Sequence, residues 1–183
     1  MIGVKRLSGV RSCCVVAPAA ALIVSACGTI HQSSAPALSR EDKVAVVAVA
    51  NFTETPDAGH SAESIAANAL RAGGIADVRI APADSNRNVM FGATQRADTD
   101  KVLEWARSEN ARYLLSGAVE EWRYKTGVDG EPAVGVTFEL IDASNGAVVW
   151  SATGTRTGWS RSGLSGVASS LISKVLSPLR VRY

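Results

Sequence analysis

The apolar residues of this chain follow two different periods, and these periods predict where its strands and helices lie. Residues 44–50 form an unbroken apolar run, which predicts a strand buried on both faces. Between the Asp-Gly at 129–130 and the Asn-Gly at 145–146, apolar residues alternate with glycine and polar residues over 134–140. That alternation is typical of a strand with one buried face, and the flanking dipeptides favour tight hairpin turns. The segment 116–159 therefore predicts an antiparallel meander of three strands.

Apolar residues recur at helical spacing in three further segments. The first predicted helix begins with Ser61 as its N-cap and ends at the glycines at 73–74. The second begins at residue 98 or 99 and ends at Asn110, and the third begins after a capping serine at 160 or 162. The third helix has the broadest apolar stripe, which predicts that it packs on the sheet. That stripe consists of Leu164, Val167, Ala168, Leu171, Ile172, Val175 and Leu176.

The remaining segments complete a predicted order of β-α-β-α-β-β-β-α. Residues 78–81 are predicted to form a short strand, 82–96 a loop and 113–124 the strand that leads into the meander. This order predicts an α/β (α+β) fold in which the helices cover one mixed sheet. The order resembles that of TolB amino-terminal domains and of curli-secretion lipoproteins, an analogy of fold that does not give function.

Residues 1–26 have the anatomy of a bacterial lipoprotein signal peptide. A segment with three Lys or Arg residues precedes a short apolar run with small side chains, and LIVSAC at 22–27 matches the lipobox. The sequence therefore predicts Cys27 as the lipid attachment site. Gly28 follows it in place of the aspartate typical of inner-membrane retention, which favours the outer membrane, on its periplasmic side. The alternative is a plain secretory signal with a chance cysteine.

The domain prediction follows from this leader. Residues 27–42 are small and polar, and we interpret them as a lipidated tether whose part from Gly28 to Arg40 reaches roughly 40 Å when extended. Residues 43–183 are enough for a single α/β domain. No other cysteine follows residue 26, so no disulfide is predicted to stabilise this domain.

The charge balance argues against a nucleic-acid partner. The whole chain has a formal net charge of +2, but loss of the three basic leader residues lowers Lys+Arg from 19 to 16 against 17 Asp+Glu. The mature chain would then carry −1, without the uniformly basic surface that nucleic acid requires.

The chain offers little for catalysis. Its two histidines, His31 and His60, lie in the predicted tether and at a helix start. With Cys27 lipidated, neither a zinc site nor a Cys–His couple is predicted. Glu120 and Glu121 are adjacent, and adjacent residues of a regular strand face opposite sides, so they are not expected to converge on one bond. We predict no catalytic residue, no metal ligand and no cofactor beyond the covalent diacylglycerol and acyl chain on Cys27.

Two polar features are candidates for binding. Asp129 and Glu131 flank Gly130 at a predicted exposed hairpin tip, with no charge nearby to neutralise them. The plain interpretation of this tip is a solvated turn that happens to be acidic.

The second feature is Trp159, between two small residues at a predicted strand-to-helix corner, with Arg156 and Arg161 close by. An indole with basic neighbours suits the lipid–water interface. The alternative is that Trp159 covers the end of the last helix's apolar stripe. The other tryptophans, Trp105, Trp122 and Trp150, are expected in the core or in subunit contacts.

Two long motifs resemble one known family. EEWRYKTGVDGEPAVGV at 120–136 and LIDASNGAVVWSATGTRTGW at 140–159 closely resemble the PelC family, the outer-membrane lipoproteins of Pel exopolysaccharide secretion. The likeness runs through most of the chain after the leader and is weakest over 82–96.

This resemblance implies a homo-oligomeric ring beneath an outer-membrane porin, and a partly deacetylated, cationic amino-sugar polymer as cargo. Asp129 and Glu131, repeated around the ring, would then guide the polymer, while Trp159, Arg156 and Arg161 would face the membrane. The alternative is a lipoprotein that activates a periplasmic partner enzyme, such as a peptidoglycan synthase. Proteins of that class usually carry a long disordered tether.

Overall fold

The structure is a computed structural model and describes residues 28–82, 95–126 and 130–181, with residues 95–99 described as helix backbone only. The predicted signal peptide at 1–26, the predicted lipid site Cys27 and the predicted tip residue Asp129 lie outside the described residues.

One mixed sheet of six strands forms the centre of the described domain. Its spatial order is β1-β6-β5-β4-β2-β3, with β2 parallel to β3 and β4 and the other neighbours antiparallel. The α/β (α+β) fold class and the three-stranded meander are thereby confirmed. The strands are β1 Gly28–Gln32, β2 Lys43–Asn51, β3 Asp77–Ile80, β4 Tyr113–Tyr124, β5 Pro132–Asp142 and β6 Val148–Thr157.

The described residues form three α-helices, in the predicted order along the chain. They are α1 Ala58–Ala72, α2 Gln95–Ser108 and α3 Leu164–Val175, followed by a 3-10 turn at Ser177–Leu179. All three predicted starts differ from the structure. Helix α1 begins three residues before Ser61, α2 begins at Gln95 and not at 98 or 99, and α3 has Gly163, not a serine, as its N-cap. The end of α1 is as predicted, since the N–H of Gly73 donates to Ala69 O at 2.9 Å.

The two faces of the sheet are covered unequally. Helices α1 and α3 pack on one face, against the fully buried alternating residues Val134, Val136, Phe138 and Leu140 of β5. On the other face α2 makes a smaller cluster with Ala45, Val47 and Leu114. We call the first the inner face and the second the outer face. The described residues leave part of the outer face uncovered.

The tether prediction is wrong for residues 28–32, which form the edge strand β1 against β6, and for Leu38 and Asp42, whose side chains are buried. Ile30 lies opposite Gly154 and packs on the core. A Cβ at Gly154 would meet Val175 Cγ2 at 2.6 Å and Ile30 Cγ1 at 3.4 Å, so the missing side chain admits both α3 and β1. These five residues therefore belong to the folded domain.

A bulge in β4 overturns the expectation that Glu120 and Glu121 face opposite sides. Val119 and Trp122 both belong to the inner-face core, whereas only Gly135 of β5 lies opposite the two residues between them. Two residues facing one is the geometry of a β-bulge. Both glutamates therefore lie on the outer face.

Candidate functional site

Most of the predicted site residues lie at one end of the sheet, which we call the Gly28 end. There Gly28 of β1 pairs with Arg156, and Tyr124 of β4 pairs with Pro132 of β5. The loop at 125–131 and the corner at 158–163 both leave the sheet at this end. The fold thus places Glu131, Trp159 and Arg161 together with the start of β1.

The side chain of Trp159 is 56% exposed, in contrast to Trp122 at 6% and Trp150 at 1%. The backbone around it is held in place, because Ser162 N donates to Trp159 O at 2.8 Å and Gly158 N donates to Pro132 O at 2.8 Å. This exposure argues against the alternative in which Trp159 covers the core. Trp122 and Trp150 are core residues, as expected, and Trp105 packs beside the smaller cluster under α2.

The two arginines near Trp159 have different surroundings. Arg156 Nη1 donates to Ser170 Oγ at 2.8 Å, which directs this guanidinium along α3. Arg161 is exposed at the same corner as Trp159. The structure therefore brings Arg161 to the corner and holds Arg156 against the last helix.

The β4–β5 connection is longer than the predicted tight turn. Lys125 N donates to Glu131 O at 2.8 Å, and Gly130 has a φ of 52°, with open space where a Cβ would lie. Lys125 Nζ donates to Thr157 Oγ1 at 3.1 Å. The expectation that no charge lies near the acidic loop needs this correction, because the Lys125 ammonium lies at the loop's base, bound to the adjacent strand.

The bulge glutamates, Glu120 and Glu121, are a pair that the sequence analysis considered but placed on opposite faces. Glu120 Oε1 accepts a hydrogen bond from Thr137 Oγ1 at 2.7 Å, and Glu121 Oε1 accepts one from Arg123 Nε at 3.1 Å. Thr137 Oγ1 lies 2.9 Å from Thr153 Oγ1, which extends the polar row to β6. The sequence does carry one signal, because Val119-Glu120-Glu121-Trp122 puts two adjacent polar residues between two apolar ones, which breaks strict alternation.

A groove of about 530 Å³ lies between α2 and the uncovered part of the outer face. We call it the α2 groove. Its lining is mostly apolar, and the charged residues in it are Glu120 and Glu139, with no Lys or Arg from the described ranges. Phe52, which follows β2, lies towards the Gly28 end, and Val148 lines it near the β5–β6 turn. Phe52 is 72% and Val148 52% exposed.

The perturbed pKa values lie away from these features. Hydrogen bonds from Arg79 and Lys43 lower the pKa of Asp77 at the start of β3. Hydrogen bonds from Ser144 lower the pKa of Asp142 at the β5–β6 turn, and Asp42 raises that of Arg112. These shifts have local structural causes and do not mark a reactive centre.

In the part of the chain that the structure describes, no three or more His, Cys, Asp or Glu side chains are grouped so that they could hold a metal ion. Across the same ranges, every helix is too short or too polar to cross a membrane.

Comparison with known proteins gives one strong relationship. No protein-family model matches the chain, and no curated protein matches it. A solved PelC dodecamer from Paraburkholderia phytofirmans is 75% identical, covering 86% of this chain and 100% of that chain, with a TM-score of 0.75. A variant of that dodecamer with one substitution is also 75% identical, covering 85% of this chain and 100% of that chain at the same TM-score of 0.75.

A second solved structure shares the fold alone. Lipoprotein GNA1162 from Neisseria meningitidis is 21% identical, with a TM-score of 0.52 over 74% of this chain and 95% of that chain. The two dodecamer structures decide the relationship, since their identity extends over the whole of each solved chain. This chain belongs to the PelC family.

Proposed function

We propose that this chain is an outer-membrane lipoprotein that assembles with copies of itself into a periplasmic ring and guides a cationic exopolysaccharide to its outer-membrane porin. One observation carries the proposal, the 75% identity to a PelC protein whose solved form is a dodecamer. Such identity implies the same fold and makes the same kind of assembly the natural expectation.

The lipid anchor follows from Cys27 and the position of β1. Because Cys27 is covalently joined to Gly28, acyl chains on its thiol would leave the domain at the Gly28 end. Trp159 and Arg161 lie exposed at that same end, and interfacial tryptophan and arginine favour the lipid–water boundary. In this proposal the Gly28 end faces the membrane. The backbone of Arg156 pairs with Gly28 at this end, but its side chain is hydrogen-bonded to Ser170 of α3.

Guidance of the polymer is assigned to the acidic loop. Asp129 and Glu131 belong to the loop at 125–131, which leaves the sheet at the Gly28 end. In a closed ring this loop would occur once per subunit at one radius, facing the porin, so that the fields of its carboxylates add near the axis. Each exposed pair is worth less than about 1 kcal/mol, which suits a polymer that must keep moving.

A non-catalytic role fits the described side chains better than an enzymatic one. The bulge places Glu120 and Glu121 on one face, yet Glu121 is paired with Arg123 and Glu120 with Thr137. The alternative role, activation of a periplasmic enzyme, requires a long tether that carries the domain away from the membrane to its partner. Because residues 28–32 are part of the sheet, the chain between the lipid and the domain is shorter than the tether of that class.

The test compares cells with and without this chain. Cells that lack it should retain the amino-sugar polymer in the periplasm, and the full-length chain should restore secretion. Native mass spectrometry of the lipoprotein purified in detergent should show a closed oligomer. Normal secretion without the chain would refute the export role, and a monomer would refute the ring.

A further inference from the structure

The outer face of the sheet has apolar residues that α2 does not cover and that remain partly accessible to solvent. Helix α2 covers the cluster around Ala45, Val47 and Leu114, whereas Ser116, Ala118, Ile141 and other outer-face residues are half-buried and line the α2 groove. Phe52 and Val148 are two of the five large hydrophobic residues that the described ranges leave exposed, and both line this groove. Contiguous exposed apolar surface of this kind marks an interaction site.

We infer that the α2 groove is the surface on which a second copy of this chain docks. The inference rests on the proposed ring and deepens it by naming one half of the subunit interface. A relative at 75% identity is a dodecamer, so self-association requires a surface, and the α2 groove is an apolar concave surface of the described residues that suits it. Protein–protein interfaces have an apolar, often aromatic centre and a polar rim, and Phe52, Val148 and Glu139 fit that description.

Charge determines how the copies meet. The charged residues of the groove are both acidic, Glu120 and Glu139. Two concave acidic grooves cannot face one another, because their shapes do not interlock and their charges repel. The groove must therefore receive a different, convex and basic surface of the neighbouring copy. Such a head-to-tail contact closes into a ring when the rotation per subunit permits it.

The basic counterpart is present on the other side of the molecule. Lys174 and Arg180 are exposed at and just beyond the end of α3, which packs on the inner face. No ion pair with an acidic residue of the described ranges involves either of them. One side of the molecule is thus concave and acidic, and the other is helical and carries free cations. Side-by-side packing of copies brings these two sides together.

The test is the concentration dependence of assembly for the full-length lipoprotein in detergent. The double variant Phe52→Ser/Val148→Ser should need at least a tenfold higher protein concentration to assemble than the unaltered chain, measured by native mass spectrometry. Because both side chains are mostly exposed, the variant should keep its circular dichroism and thermal midpoint. Ile80→Ser, an exposed apolar residue on β3 outside the groove, is the matched control and should assemble normally.

The outcomes separate this inference from the proposed function. A monomeric unaltered chain would overturn both the ring and the docking surface. An oligomer unaffected by the double variant would overturn the docking surface and leave the ring standing. Unchanged assembly with reduced polymer secretion would identify the groove as a polymer site and would equally overturn the inference.

Discussion

The side chains of the Gly28 end differ in what each one contacts, and these contacts decide what each can contribute. Trp159 is more than half exposed, while Arg156 is bound to Ser170 and Lys125 to Thr157. An engaged side chain must first lose its partner before it can bind a ligand, whereas an exposed one is free to do so. Trp159 is therefore the described residue of this end on which a substitution should alter function without altering the fold, whereas Glu131 is half-buried.

The first prediction concerns the charge of Asp129. Asp129→Asn should impair polymer secretion and leave the oligomer unchanged, and Asp129→Arg should impair it more, because a cation at this position would repel the cationic polymer at every subunit of the ring. Asp129→Glu keeps the charge and should keep the function. The measurement is secreted polymer from the three strains, with native mass as the check on assembly. Equal secretion by all three would mean that the loop is merely solvated.

The second prediction concerns Trp159 and uses Trp150 as its matched control. Trp159→Ala should leave folding and assembly intact but weaken polymer export, because the exposed indole is assigned to the membrane interface. Trp150 is fully buried, so Trp150→Ala should lose about 3–5 kcal/mol of unfolding free energy. Chemical denaturation of both variants provides the comparison. A loss of similar size for Trp159→Ala would place this residue in the core and refute the interface role.

The strands and helices with many alternating or periodic residues were predictable from the sequence, and the short or irregular ones were not. The alternation from Val134 to Leu140 and the stripe of α3 are long enough for the burial pattern to be read directly. The five residues of β1 contain one apolar side chain, Ile30, which becomes buried only because Gly154 of the adjacent strand leaves room for it. Such a contact joins residues over a hundred positions apart, and no local pattern reports it.

The bulge at Glu120 is a different case, because the sequence carries a local signal of it. Two adjacent glutamates between Val119 and Trp122 break the alternation, and the prediction went wrong because it assumed one residue opposite one residue. The α2 groove was also missed, because it depends on how far α2 extends over the sheet. Sequence reasoning singled out Glu131, Trp159 and Arg161 at separate places along the chain, and only the sheet register shows that they lie at the same end.

The third prediction tests whether β1 is part of the folded domain. Ile30→Ala should lower the unfolding free energy by about 1–2 kcal/mol, less than the cost of truncating a fully buried isoleucine, because the side chain is only partly buried. His31→Ala on the same strand is the control and should change it by less than about 0.5 kcal/mol, since its side chain is exposed. If residues 28–32 were a free tether, the two variants would be equally stable in chemical denaturation.

If Cys27 carries the lipid as proposed, the position of β1 also sets how the domain meets the membrane. With residues 28–32 held in the sheet, the lipid on Cys27 would fix both the distance and the direction of the domain. Cys27→Ala should abolish lipid modification, leave a soluble or unprocessed protein and reduce polymer export, since mature bacterial lipoproteins are held by more than one acyl chain. Membrane fractionation measures the first two effects. A variant that is still processed and held in the outer membrane would refute the anchor.

Two insertion variants separate the effect of the lipid anchor from the effect of the domain's distance from the membrane. Twelve Gly and Ser residues inserted between Gln32 and Ser33 would lengthen only the connection from β1 to β2. The same insert between Cys27 and Gly28 keeps the sheet whole and releases it from the membrane by about 20 Å. The second insert should preserve lipidation, stability and oligomer mass but reduce secretion, because Trp159 and the acidic loop no longer stay at the porin. The first should reduce stability, because β1 then has to pair with β6 across a flexible linker. Full secretion with the insert after Cys27 would show that the short connection to the lipid is not needed, and that the ring finds its porin through protein contacts alone.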